Sequence, residues 1–182
     1  MPSIDIYWPN FIDAPRKQAN VSARANKLPS SSIKLIRDLI YIFSIVGKSI
    51  KNQKLQLASI KTVAAFLNTN GGNLFIGVSD DNSIEGLDRD LEFFGGSLDK
   101  LHLSVSEIIL NSLGADKKPY YTVKTAEVDG KHICHIKASP CHSSKTWVNF
   151  GGTQYFFIRD GNGTKSLSGE DADSYWTERA TV

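Results

Sequence analysis

Apolar residues recur at helical spacing in two parts of the chain. Over 55–68 and again over 98–113 they return every three or four positions, with polar residues between them. Residues at this spacing share one side of an α-helix, which can pack against the rest of the protein. The pattern therefore predicts two amphipathic helices. A third helix is predicted over 168–179, because Ser168 and Asp171 have the spacing of a capping box.

Short apolar runs between turn-forming residues predict the strands. The run 73–78 follows a glycine pair, and the runs 120–128 and 131–138 flank Asp129-Gly130, a strong signal for a two-residue hairpin turn. Strands are also predicted over 146–150 and 154–159. Since helices and strands are mixed along the chain, the predicted fold class is α+β, with a mixed β-sheet packed against helices.

The N-terminal part of the chain has a weaker pattern. Residues 1–32 contain four prolines and three consecutive serines, which predicts an irregular arm before a domain that spans 33–182. The apolar stretch 33–46 is ambiguous. Its second half, 40–46, is typical of a buried strand, and the pattern also allows a short helix before that strand. The segment 47–54, GKSIKNQK, is interpreted as a basic loop.

The composition is that of one globular domain. The chain has 182 residues, of which 41% are hydrophobic, and this is enough to bury a core. Its two cysteines cannot form a disulfide framework, which favours a reducing compartment. The longest apolar run, 39–46, is too short to span a bilayer, and the N-terminus lacks the pattern of a signal peptide. We therefore expect a cytoplasmic protein with no membrane partner.

The charges are distributed unevenly along the chain, although the net charge is only +2. Residues 1–63 carry ten Lys or Arg and three Asp, whereas residues 64–115 carry two basic and eight acidic residues. A basic segment of this kind can contact an anionic partner, and a solvated surface explains it equally well.

The segment NTNGG (68–72) and the aspartates after the next strand are the candidates for chemistry. Phosphate-binding glycine loops precede a helix, whereas these glycines follow one, so a helix stop with a tight turn is favoured. Asp80 and Asp81 suit a metal ion or acid–base catalysis, but they are also ordinary turn residues. The His and Cys residues of 132–142 lack the spacing of a zinc site, and no metal site is predicted.

Three segments of the chain together resemble one family. They are KTVAAFLNTNGGNLFIGVSDDNSIEGLDRD (61–90), VDGKHICHIKASP (128–140) and YFFIRDGNGTKSLSGEDADSYW (155–176). In this order they are similar to the Schlafen AlbA-type domain, over about two thirds of the chain. The resemblance implies an α+β fold with a mixed sheet. The function it implies is binding of DNA or RNA, in transcriptional regulation or in defence against mobile elements.

The resemblance also raises a nuclease alternative. Eukaryotic Schlafen relatives cut structured RNA with two glutamates from an upstream strand and an aspartate that Asp80 matches. In this chain no Glu precedes Asp80, and Asp38 is the only acid between Asp13 and Asp80. Since a catalytic cation needs several carboxylates, we expect binding without catalysis and no cofactor. Only an endoribonuclease acting through Asp80 would need Mg²⁺ or Mn²⁺, with further acids from a partner chain.

The expected nucleic-acid contacts are polar residues near the first predicted helix and around the glycine loop DGNGT. They are Lys48, Lys51, Lys54, Lys61, Arg159, Thr164 and Lys165. Backbone N–H groups of the loop can approach a phosphate, and such binding depends on salt. Trp147 and Tyr155 could stack on bases, although core packing is favoured for both. A homo-oligomer, and a protein-interaction domain that binds no nucleic acid, stay open as alternatives.

Overall fold

The computed structural model describes residues 33–36, 50–80 and 82–180, with the backbone alone for 33–36, 50–57 and 180. The predictions of an arm over 1–32 and of a strand over 40–46 lie outside the described residues, as does Lys48. Every structural statement below concerns the described part of the chain.

The described residues form seven strands, four α-helices and one 3₁₀-helix. The strands are β1 (Ile33–Ile36), β2 (Gly72–Ile76), β3 (Tyr121–Val128), β4 (Lys131–Ala138), β5 (Trp147–Phe150), β6 (Thr153–Asp160) and β7 (Gly163–Leu167). The helices are α1 (Ile50–Asn68), α2 (Asp88–Phe93), α3 (Leu98–Leu113) and α4 (Gly169–Ala180), and the 3₁₀-helix is Ala115–Tyr120.

The strands are arranged in two sheets. The first sheet has the order β1-β2-β4-β3, with β1 parallel to β2 and the other pairs antiparallel. The second sheet, β5-β6-β7, is antiparallel throughout. The predicted fold class is confirmed, because an α+β chain with a mixed sheet is what the structure contains. The Asp129-Gly130 hairpin is also confirmed, with Val128 paired to Lys131.

Helix α1 lies in the core between the two sheets. It contacts β2 and β4 of the first sheet and β5, β6 and β7 of the second. Every residue from Thr62 to Thr69 is buried, so this half of the helix is covered on all sides rather than on one stripe. The main core combines Val63 and Leu67 of α1 with residues of both sheets and of α3. Helix α4 packs on the other side of the second sheet, around Phe156 and Ala172.

The NTNGG segment ends α1 and starts β2, as the helix-stop interpretation predicts. The Gly71 N–H donates to the Phe66 carbonyl oxygen at 2.9 Å, a bond typical of a helix C-terminus. Gly71 has φ 75°, in the left-handed region that favours glycine. A Cβ on Gly72 would lie 2.4 Å from the Phe66 ring, so the backbone and the ring pack together directly.

The structure differs from the local pattern in three places. The basic loop expected over 47–54 is helical from Ile50 onward, since Lys, Gln and Leu all favour helix. The short helix considered before residue 40 is replaced at Ile33–Ile36 by strand β1, which gains its hydrogen bonds from β2. The loop expected at DGNGT (160–164) ends earlier than predicted, because strand β7 begins at Gly163 and takes its backbone partners from β6.

Candidate nucleic-acid interface

Arg159 and Thr164 face each other across the β6–β7 hairpin, and their side chains bond to one another. Arg159 Nη1 donates to Thr164 Oγ1 at 3.0 Å, and Nη2 donates to the Gly161 carbonyl oxygen at 3.4 Å. The guanidinium carbon also lies 5.4 Å from the centre of the Phe66 ring. Partial burial lowers the pKa of Arg159 from its ordinary value. Arg159 therefore ties the glycine turn of the hairpin to α1.

Lys165 lies on the opposite face of the second sheet from Arg159. It pairs with Ile158, whereas Arg159 pairs with Thr164, and neighbouring residues of a strand point to opposite faces. Ile158 belongs to the cluster that α4 covers. The sequence places Arg159 and Lys165 on either side of one loop, but the structure does not bring their side chains together.

The lysine positions of α1 form a separate group. Positions 51, 54 and 61 fall within an arc of about 80° around the helix axis, and Lys61 is half-buried. Phe66, which Arg159 covers, lies about 140° around the axis from Lys61. Position 51 is about 22 Å from position 66 along the helix. The predicted contacts therefore fall into at least three places rather than into one groove.

Asp80 lies in an exposed turn after β2. The turn is closed by a hydrogen bond from the Ser79 N–H to the Ser83 carbonyl oxygen at 3.0 Å, and Asn82 has φ 67°. Val78 and Ile84 form a short bridge at its base. In the described part of the chain, no three His, Cys, Asp or Glu side chains are close enough to share a metal ion. The geometry around Asp80 is that of a turn.

The His and Cys residues of 132–142 are dispersed. Cys134 is fully buried in β4, where burial raises the pKa of its thiol to about 12. His135 points to the other side of that strand, and Cys141 lies in the loop after it. Cys141 Sγ interacts with the Ser144 carbonyl oxygen at 3.3 Å. Among the described residues, these side chains do not converge on one point.

The two aromatic residues considered for base stacking pack within the protein. Tyr155 stacks on Phe157 at 5.9 Å between ring centres, and Trp147 lies 5.3 Å from Phe156. Both side chains are half-buried. The core-packing interpretation describes them better than an exposed stacking platform.

A basic face that no sequence motif indicated lies on the first sheet. We call it the lysine face, meaning the side of β2, β3 and β4 that points away from α1. Its ten positions are Asn73, Phe75, Thr122, Lys124, Ala126, Val128, Lys131, Ile133, His135 and Lys137. The Asp129-Gly130 turn fixes this register, so counting back from the turn would have paired Lys124 with His135 and Thr122 with Lys137. Alternate residues of each strand lie on the same face, so the sequence contained the information that these lysines share one side of the sheet.

His135 lies within the lysine face. Its Nε2 is 2.9 Å from Asn73 Oδ1, and its ring stacks on Phe75 at 4.6 Å between centres. Burial, followed by the charges of Lys137 and Lys124, lowers the pKa of His135 to about 4. The imidazole is therefore neutral at neutral pH, and the charge of this face comes from the lysines.

These features define a class of protein: an α+β domain in which one buried helix is held between a mixed sheet and a small antiparallel sheet. Within that class, the chain belongs to the Schlafen AlbA_2 family, whose model matches residues 45–168. The resemblance of the three sequence segments is thereby confirmed. A search among curated proteins gives no match. No described helix is long and apolar enough to cross a membrane.

The solved structures that are similar to the chain include the following two. One is the DIP2311 protein from Corynebacterium diphtheriae, with 16% identity and a TM-score of 0.51 over 80% of this chain and 26% of that chain. The other is the N-terminal domain of a RecG-related protein from Nitrosomonas europaea, with 15% identity and a TM-score of 0.44 over 76% of this chain and 84% of that chain. This chain thus spans about a quarter of the first protein, and that likeness concerns the fold alone.

Proposed function

We propose that this domain binds nucleic acid through the phosphate backbone and has no catalytic activity of its own. The observation that carries the proposal is that two of the predicted contact lysines, Lys61 and Lys165, form no ion pair with a described acid. Within the described residues, the lysines that form ion pairs are Lys117 and Lys145, whereas Lys61 and Lys165 pair with no acid. Unpaired lysines on a domain of the Schlafen AlbA_2 family suit a polyanionic ligand.

The contact residues expected from the sequence take two roles in this proposal. The α1 lysines, Lys51, Lys54 and Lys61, together with Lys48 and Lys165, supply charge. Arg159 and Thr164 position the exposed tip of the β6–β7 hairpin, because their side chains bond to each other and to that tip. Backbone N–H groups at the tip can then approach a phosphate.

Binding is favoured over cleavage because no Glu precedes Asp80 in the sequence, where the resemblance implies two metal-holding glutamates. Strand β1, which precedes α1 and pairs with β2, has the sequence IKLI and carries no acid. A metal-dependent nuclease needs several carboxylates around its cation, and Asp80 alone does not meet that need. The proposal therefore includes no cofactor.

Fluorescence anisotropy tests the proposal with labelled duplex DNA and single-stranded RNA at about 50 and about 200 mM salt. We expect binding at the lower salt that weakens steeply at the higher salt, because phosphate contacts release counterions. Absence of binding to either nucleic acid at the lower salt would reject the proposal.

A separate assay addresses catalysis. Labelled tRNA is incubated with the protein and Mg²⁺ or Mn²⁺, beside an Asp80→Ala variant. We expect intact RNA in both reactions. Cleavage by the wild-type protein that is lost in the variant would establish the nuclease alternative.

A further inference from the structure

The lysine face contains cations and no acid. Among its ten positions on β2, β3 and β4, three are lysines, Lys124, Lys131 and Lys137, and none is Asp or Glu. Glu127 is the acid of these three strands. It lies between Ala126 and Val128 in β3 and therefore points to the other side of the sheet. The alternation of the strands therefore separates positive from negative charge between the two sides.

The three lysine side chains are exposed, and none forms an ion pair with a described acid. Lys131 Nζ donates to the Ile84 carbonyl oxygen at 2.8 Å, which leaves its charge in place. Lys124 and Lys137 are diagonal neighbours, since Lys124 pairs with His135, two residues before Lys137. Diagonal neighbours of this kind are about 7–8 Å apart, so both charges act on the same small area.

The side chains between the lysines are buried. Ile133, Phe75 and His135 are buried at 0%, 6% and 6% exposure, and Asn73 bonds to the imidazole. Paired strands hold the lysine stems at the regular spacing of a sheet, whereas a loop would have to be ordered on binding. Lys131 and Lys137 are about 20 Å apart along β4, a length that spans about six phosphates of one DNA strand.

We propose that the lysine face is the main phosphate-contact surface of this domain, with Lys124 and Lys137 as its central contacts and Lys131 at its end. This inference rests on the proposed function, because it names the surface that performs the binding. The ligand chemistry is the nucleic-acid backbone, and the salt response of binding reports on the number of phosphates contacted.

The test compares three double variants of the full chain by the salt dependence of affinity for duplex DNA and single-stranded RNA. The first, Lys124→Gln with Lys137→Gln, removes the central contacts. The second, Lys61→Gln with Lys165→Gln, removes contacts expected from the sequence. The third, Arg89→Gln with Lys100→Gln, removes two exposed cations of the α2–α3 region and is the control with the same change in net charge.

For the first variant we expect the slope of log affinity against log salt to fall in magnitude by about 1.8 on duplex DNA and about 1.4 on single-stranded RNA. The control keeps the wild-type slope. Thermal unfolding of each variant verifies folding, and all six residues are at least partly exposed, so native midpoints are expected.

A wild-type slope for the first variant, in a folded protein that binds, would overturn the inference and leave the proposed function standing. A smaller salt slope in the second variant alone would place the phosphate contacts at the residues predicted from the sequence, and would overturn the inference. Absence of wild-type binding would instead reject the proposed function, and the assignment of the lysine face with it. An equal fall in the salt slope of the first and third variants would show that binding depends only on net charge, which also overturns the inference.

Discussion

The side chain of Asn68 is bonded to both backbone groups of Thr146. Asn68 Oδ1 accepts from the Thr146 N–H at 2.9 Å, and Nδ2 donates to the Thr146 carbonyl oxygen at 2.9 Å and to the Phe157 carbonyl oxygen at 3.0 Å. Asn68 is fully buried. One amide at the end of α1 thus satisfies backbone groups at the entrance of β5 and within β6, and so connects the helix to the second sheet.

Asn68→Ala is expected to lower the free energy of unfolding by about 3 kcal/mol, because it removes three hydrogen bonds to buried backbone groups. Urea unfolding measures the loss. Asn70→Ala is the matched control, since Asn70 is exposed two residues later, and it should change stability by less than about 0.5 kcal/mol. Equal stabilities of the two variants would contradict the role given to Asn68.

Gly72→Ala is expected to destabilise the protein by about 1–3 kcal/mol, because the new Cβ would lie 2.4 Å from the Phe66 ring. Gly169→Ala is the control. Gly169 begins α4 with no atom near its Cβ position, so alanine should be neutral or stabilise by up to about 1 kcal/mol. Thermal and urea unfolding compare the two variants. A Gly72→Ala protein as stable as the control would show that the turn relaxes freely.

His135 makes stability depend on pH. Its native pKa of about 4 lies below the unfolded value of 6.5, so between these values the unfolded chain binds a proton that the native protein does not. This contribution to stability is complete above the unfolded pKa and is lost as the pH falls toward about 4. Near pH 5 the loss is about 2 kcal/mol relative to neutral pH.

Urea unfolding at about pH 7.5 and about pH 5 measures this loss. His135→Gln should reduce the difference between the two pH values by about 2 kcal/mol, because the group that titrates is gone. The exposed His142, also changed to Gln, serves as the control. If His135→Gln keeps the wild-type pH response, the imidazole is not held neutral by burial and by Lys124 and Lys137.

Arg159→Gln is expected to act on stability and only weakly on the salt dependence of binding. The substitution breaks two hydrogen bonds of the β6–β7 hairpin and should cost about 1–2 kcal/mol. Lys165→Gln, on the opposite face of the same hairpin, should leave stability within about 0.5 kcal/mol of wild type. A fall of about 0.9 in the salt slope for Arg159→Gln would show instead that the guanidinium contacts a phosphate directly.

Local pattern predicted most of the regular structure. Helix α3 has the bounds that apolar spacing predicts, 98–113, and strand β4 has the predicted bounds 131–138. These elements could be predicted because the spacing of their apolar residues equals the repeat of a helix or of a strand. Strand β7 was missed because GTKSL has no such period, and its strand form comes from pairing with β6. The start of α1 was missed because its basic residues were interpreted as a loop.

The candidate site was predicted less well than the fold. Cations were selected as neighbours along the chain, yet Arg159 and Lys165 lie on opposite faces of one sheet. Lys124 and Lys137, on either side of the Asp129-Gly130 turn, lie together. Only the register of the β3–β4 hairpin brings the latter pair to one face. Asn68 was interpreted as part of a helix stop, and nothing local to it indicates a bond to Thr146, which is 78 residues away.

The sequence by itself determined the α+β class, the helix stop at NTNGG, the Asp129-Gly130 hairpin and the family, because each depends on residues close together in the chain or on a pattern of letters. The tertiary structure decided that the cations predicted as contacts lie in separate places, and which polar groups bond within the protein. Those outcomes depend on strand register and on the packing of α1 between two sheets, because residues distant in sequence meet only in the folded protein.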